Sequence, residues 1–184
     1  MTLPRGFKAE AERAAIAVRS ELGLKKDSVL DVTAMADLRS VRIVDAADLV
    51  DRSRLEDLER LQSFAFSAAT FEVGSGRVIV TNPLREPGRQ ASDIAHELSH
   101  LELSHQLGEV RQLDGLAFRT CDPAQEEQAT AYGATLLLPR PLLVTAASRG
   151  LGIEEIAAES GVTVQMARFR YNTTGIARQF ARRP

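Results

Sequence analysis

The segment DIAHELSHLELSH, residues 93–105, contains all three histidines of the 184-residue chain. Its apolar residues Ile94, Leu98 and Leu101 recur at i, i+4 and i+7 with polar residues between them, the pattern of an amphipathic helix. We read that helix over 91–105. On it, His96 and His100 lie one turn apart on one face and can present both imidazoles to a single ion. The spacing is H-E-x-x-H, in which the intervening acid has its own job. Glu97 sits too far round the helix to be the natural third ligand, but it can reach a water that the ion activates. Its expected role is general base.

A catalytic zinc site takes three protein ligands and keeps one open position, so a third ligand has to come from elsewhere. His105 is in the wrong register for it. The metzincin pattern H-E-x-x-H-x-x-G-x-x-H requires glycine at 103 and histidine at 106, where this chain has Leu103 and Gln106. His105 is therefore expected at the helix end, beside the ligands. The acidic stretch QEEQATAYGATLLLP, residues 125–139, offers Glu126 and Glu127, and its small residues Ala129, Thr130 and Gly133 permit close packing on the histidine helix. A glutamate there completes a His2Glu set. Such a set suits Zn2+, and Mn2+ or Fe2+ can replace it.

Around this pair of helices the chain reads as helices, then a small sheet, then helices. Helical spacing marks 7–22, 29–38 and 52–61; β-favouring runs mark 41–44, 64–73 and 77–80, the last two separated by the turn sequence Gly74-Ser75-Gly76. Residues 106–122 show no period and are expected to be a loop. Helices follow at 124–137, 141–148, 152–160 and 163–171. The order implies an α+β fold with a small, mostly antiparallel three-stranded sheet packed on a helical core. The net charge of −2 argues against wholesale attraction to nucleic acid. No run approaches the about 18 apolar residues of a membrane span, and the N-terminus lacks a secretory apolar stretch, so a cytoplasmic protein without membrane contact is expected. The single cysteine, Cys121, cannot form an internal disulfide and has no partner at zinc-ligand spacing.

Three segments, RQASDIAHELSHLELSH, EEQATAYGATLLLP and GVTVQMARFRYNTTG, together resemble the ImmA/IrrE metallo-endopeptidases over about residues 64–175. Matching back from Pro139 through Leu136, Tyr132 and Ala129 places the family's ligand glutamate on Glu126. The chain departs from the family at Tyr132, where phenylalanine is usual, at Gly133, where alanine is usual, and at Thr130, where asparagine is common. None of these departures is expected to touch a ligand. The segment 46–61 looks like an insertion. The expected organisation is a metallopeptidase domain over 1–149 with a helix-turn-helix-like C-terminal helical extension over 150–184 packed on its core. The resemblance further implies a protein substrate, often a helix-turn-helix repressor, although some members act as partners in toxin-antitoxin modules.

Residues 153–171, IEEIAAESGVTVQMARFRY, carry helix-turn-helix spacing with Gly161 at the turn. A DNA-binding regulator is thus the alternative from another class, and a catalytically silent interaction module is a third. Against DNA, Glu154, Glu155 and Glu159 would repel phosphate, and Val162 to Gln165 offer few base-edge donors. Arg168 and Tyr171 are expected to face the metal site and steady developing negative charge, or to pack within the helices. Finally, the run Arg77, Val78, Ile79, Val80, Thr81 is expected to be a sheet edge on which an extended substrate lies.

Overall fold

A computed structural model describes residues 3–63, 65–106, 110–113, 116–119 and 122–180. Cys121, Arg182 and Arg183 lie outside the described residues. The fold is α+β. Helix α1 (Phe7–Glu21) and helix α2 (Val32–Leu38) precede strand β1 (Val41–Asp45); a 3-10 turn and helix α3 (Arg52–Leu61) then lead to the hairpin of β2 (Ala68–Val73) and β3 (Gly76–Thr81). Helix α4 (Pro87–Glu102) carries the H-E-x-x-H motif. A second hairpin of β4 (Val110–Leu113) and β5 (Leu116–Arg119) separates it from α5 (Pro123–Leu137), after which come α6 (Arg140–Ser148), α7 (Ile153–Ser160), α8 (Val164–Thr173) and α9 (Ile176–Phe180).

The three-stranded sheet has the order β1-β3-β2. β2 pairs antiparallel with β3 through the tight hairpin, with Thr70 opposite Ile79. β1 pairs parallel with β3, Ile43 opposite Ile79, because the chain passes through α3 into β2, which runs opposite to β1, and the hairpin then reverses it again. The sheet therefore has one parallel and one antiparallel pairing and is not mostly antiparallel. More consequentially, β3 is the central strand. The expectation that Arg77, Val78, Ile79, Val80 and Thr81 form an exposed edge fails, and the sequence holds the reason. An apolar run that alternates little belongs to a strand covered on both faces. Val78, Ile79, Val80 and Thr81 are all buried, with Val78 and Val80 packed against Ala46 and Leu55 of the 46–61 segment.

Helices α4 and α5 cross at the centre of the molecule, where Ile94, Ala95 and Leu98 meet Tyr132 and Leu136 in the main apolar cluster. Their approach depends on Gly133. A Cβ there would lie 3.0 Å from the Ala95 carbonyl oxygen and 3.1 Å from the His96 nitrogen, a contact that the α4 backbone could accept only by giving way a few tenths of an ångström. Gly88 plays the same part at the start of α4, where a Cβ would come within 2.8 Å of the Val162 carbonyl carbon at the α7–α8 turn. The C-terminal helices share this core through Ile156, Ala157, Val162, Ala167 and Ile176. Arg170, 8% exposed, ties α8 down. Its Nε donates to the Leu138 carbonyl at 3.0 Å and its Nη2 to Glu12 Oε1 at 2.7 Å.

Two further readings change. The segment 106–122, expected to be a loop, contains the β4–β5 hairpin, with Leu113 opposite Leu116. The histidine helix begins earlier than 91: Pro87 opens it, as proline can at a first turn whose N–H has no helical partner. It ends at Glu102, and Ser104 takes a positive φ of 54° just beyond.

Candidate metal centre

The H-E-x-x-H helix lies with one face on the sheet and the other on α5, and this sandwich builds the site. His96 and His100 point their Nε2 atoms at each other, 3.0 Å apart. Glu126, in the first turn of α5, brings Oε2 to 3.1 Å from His96 Nε2 and Oε1 to 3.4 Å from His100 Nε2. Thus His96, His100 and Glu126 form the one three-residue group among the described residues that could hold a metal ion. Glu127, the neighbouring candidate, is not in it.

The donor set fits a divalent cation on two counts. Ligands about 2.0–2.1 Å from a tetrahedral ion stand about 3.4 Å apart, and here the two imidazole nitrogens are 3.0 Å apart while the two Glu126 oxygens stand 3.1 and 3.4 Å from one nitrogen each. The ring nitrogens on the far sides are already engaged. His105 Nδ1 lies 3.1 Å from His100 Nδ1, and Thr130 Oγ1 lies 3.4 Å from His96 Nδ1. Were each ring to carry its proton on Nδ1, the two Nε2 lone pairs and the carboxylate would face one another, a donor set suited to a cation. Burial, then the neighbouring His96, holds the His100 imidazole below the ordinary histidine value, which keeps it in the neutral form a ligand needs.

His105 thus lies against the His100 ring, on the side away from Glu126. A partner that orients a ligating imidazole supports metal affinity by roughly 10–100-fold. His105→Ala is expected to weaken zinc binding by about that factor, measured by competition with a chromophoric chelator, while leaving the fold intact.

Glu97 lies on the sheet side of the same cleft. It is 6% exposed, and its Oε2 accepts a hydrogen bond from Thr70 Oγ1 at 2.6 Å. A cleft of about 490 Å³ runs between the sheet and α5, and Glu97, Ala68, Ala69, Asp93, Thr130 and Met166 line it together with the three donor residues. Burial pushes the Asp93 carboxyl up from its usual range against the pull of Arg89.

Arg168 and Tyr171 do not reach the cleft. Arg168 Nη2 lies 3.5 Å from Glu154 Oε1 on the exposed side of the α7–α8 pair, and Tyr171 packs against the main core. The residue of α8 that lines the cleft is Met166. Arg168, two positions on, is some 200° further round the helix. Two residues that the sequence assigns no part in the site are at its centre instead: Thr70, which bonds Glu97, and Thr130, which faces the His96 ring. Both Thr130 and Gly133, read as departures remote from the ligands, thus touch His96 or its backbone. Thr130 was within reach of the sequence, since it stands one helical turn after Glu126.

Residues 54–172 match the Peptidase_M78 family, described as the IrrE N-terminal-like domain. Among solved structures, a Mycobacterium tuberculosis transcriptional regulator is similar with a TM-score of 0.56 and 17% sequence identity, over 92% of this chain and 48% of that one. The chain spans about half the length of that regulator, and at this identity the likeness is one of fold. No curated protein matches.

Proposed function

The chain belongs to the Peptidase_M78, IrrE N-terminal-like domain family, and on that footing we propose that it is a metal-dependent endopeptidase whose ion is held by His96, His100 and Glu126. The observation that carries this reading is the convergence of those three donors at 3.0–3.4 Å in the wall of a cleft that Glu97 also lines. The nitrogen and oxygen donor set favours zinc, with Mn2+ or Fe2+ as substitutes. A divalent ion there supplies Lewis acidity, which lowers the pKa of a water and polarises the scissile carbonyl. Glu97 takes the proton as the water oxygen adds to the carbonyl carbon. It then returns the proton to the amide nitrogen as the C–N bond breaks, so the carboxylate ends the cycle as it began.

An extended substrate needs a strand to lie against. β3 is paired on both sides, but β2 is paired only with β3 among the described residues, and its Ala68 and Ala69 line the cleft. We assign the substrate to the outer edge of β2, where main-chain hydrogen bonds can add a strand. The small side chains of Ala68 and Ala69 leave that edge accessible.

A helix-turn-helix repressor is the substrate class that the family resemblance supports. Incubating the zinc-loaded chain with helix-turn-helix repressors from the same genome tests this reading. Discrete fragments that disappear with chelator are expected; a repressor that binds and stays intact would favour the interaction-module reading. The α7–α8 pair gives DNA binding little support. Arg170 is committed to Leu138 and Glu12, and Arg168 pairs with Glu154. Among the described residues no helix is long and apolar enough to cross a membrane.

A further inference from the structure

Thr70 is a buried hydroxyl on strand β2, 4% exposed, and it donates to Glu97 Oε2 at 2.6 Å. The distance is that of a charge-assisted O–H to carboxylate bond, among the stronger neutral-to-ion contacts a protein makes. The two residues are 27 positions apart in sequence, so the bond ties the catalytic helix directly to β2. Threonine's branched Cβ leaves few rotamers open in a strand, and pairing opposite Ile79 fixes its backbone. The donor is thus held from three sides.

We propose that Thr70 is a positioning residue: its hydroxyl, through Glu97 Oε2, holds the carboxylate in the orientation from which it takes up the proton. This rests on the peptidase reading above, and it adds to it. β2 is also the strand assigned to the substrate, so one strand references both the base and the peptide it acts on. A misplacement of about 1 Å between reacting groups can cost 10²-fold in rate. A shared strand removes that source of error.

The test compares Thr70→Val, which keeps the shape and loses the donor, with Thr70→Ser, which keeps the donor, both in the full zinc-loaded chain. Thr70→Val should lower kcat by about 10–100-fold with KM and zinc content unchanged, and Thr70→Ser should recover most of the loss. In a Glu97→Gln background, Thr70→Val should add nothing, because the two residues act as one unit. Normal turnover by Thr70→Val, or a loss that adds in full to that of Glu97→Gln, overturns the proposal. A crystal structure of Thr70→Val reads the geometry without turnover. A Glu97 carboxylate that stays in place overturns the proposal too, whereas a displaced carboxylate in a chain that cleaves nothing supports positioning and counts against the peptidase reading instead.

Discussion

Glu97→Gln is expected to keep its zinc and lose cleavage by about 10²- to 10⁴-fold, the contribution a positioned general base makes. The separation of effects follows from the geometry. The three donors that converge are His96, His100 and Glu126, while Glu97 faces the sheet and bonds Thr70 at 2.6 Å. The amide of glutamine fills nearly the same space and can still accept from that hydroxyl, but it cannot take up a proton at neutral pH. Folding and metal content should therefore be those of the wild type. Turnover of a repressor substrate by the variant at the wild-type rate would remove Glu97 from the chemistry.

Chelation should lower the thermal midpoint by about 5–10 °C. An ion bound to the folded state alone stabilises it by about 2.7 kcal/mol at a hundredfold excess over Kd, and each kcal/mol moves the midpoint of a 150–250-residue protein by about 2–4 °C. Here the effect has a structural route. Glu126 stands in the first turn of α5 and the two histidines on α4, so an ion held by the three would bridge the two helices that form the centre of the core. Without it, two imidazole nitrogens 3.0 Å apart and a carboxylate face each other. Scanning calorimetry with zinc and with excess chelator reads the difference; coincident midpoints would mean that the folded chain holds no ion.

How much of this was legible in the sequence varies from element to element. The helix of the H-E-x-x-H motif was legible because a 3.6-residue period and a chemical spacing coincide there, and both are local. The glutamate of α5 was narrowed only to Glu126 or Glu127 by the residues, and the choice came from the family resemblance. The β1–β3 pairing was not legible, since it joins segments more than 30 residues apart through a crossover that no local pattern announces. The central position of β3 was legible and misread: Val78-Ile79-Val80 is the signature of a covered strand. The β4–β5 hairpin had an overlooked marker in Asp114-Gly115, a two-residue hairpin sequence between two short β-favouring runs. Thr70 carried no marker at all, because a threonine in a strand looks like β-propensity until the fold sets it against Glu97.

The central claim is that His96, His100 and Glu126 hold one ion, and elemental analysis of the purified chain beside Glu126→Ala and Glu127→Ala tests it most directly. About one divalent ion per chain is expected in the wild type and in Glu127→Ala, and close to none in Glu126→Ala. A wild type without metal, or a Glu126→Ala chain that keeps its ion while Glu127→Ala loses it, would contradict the site as built.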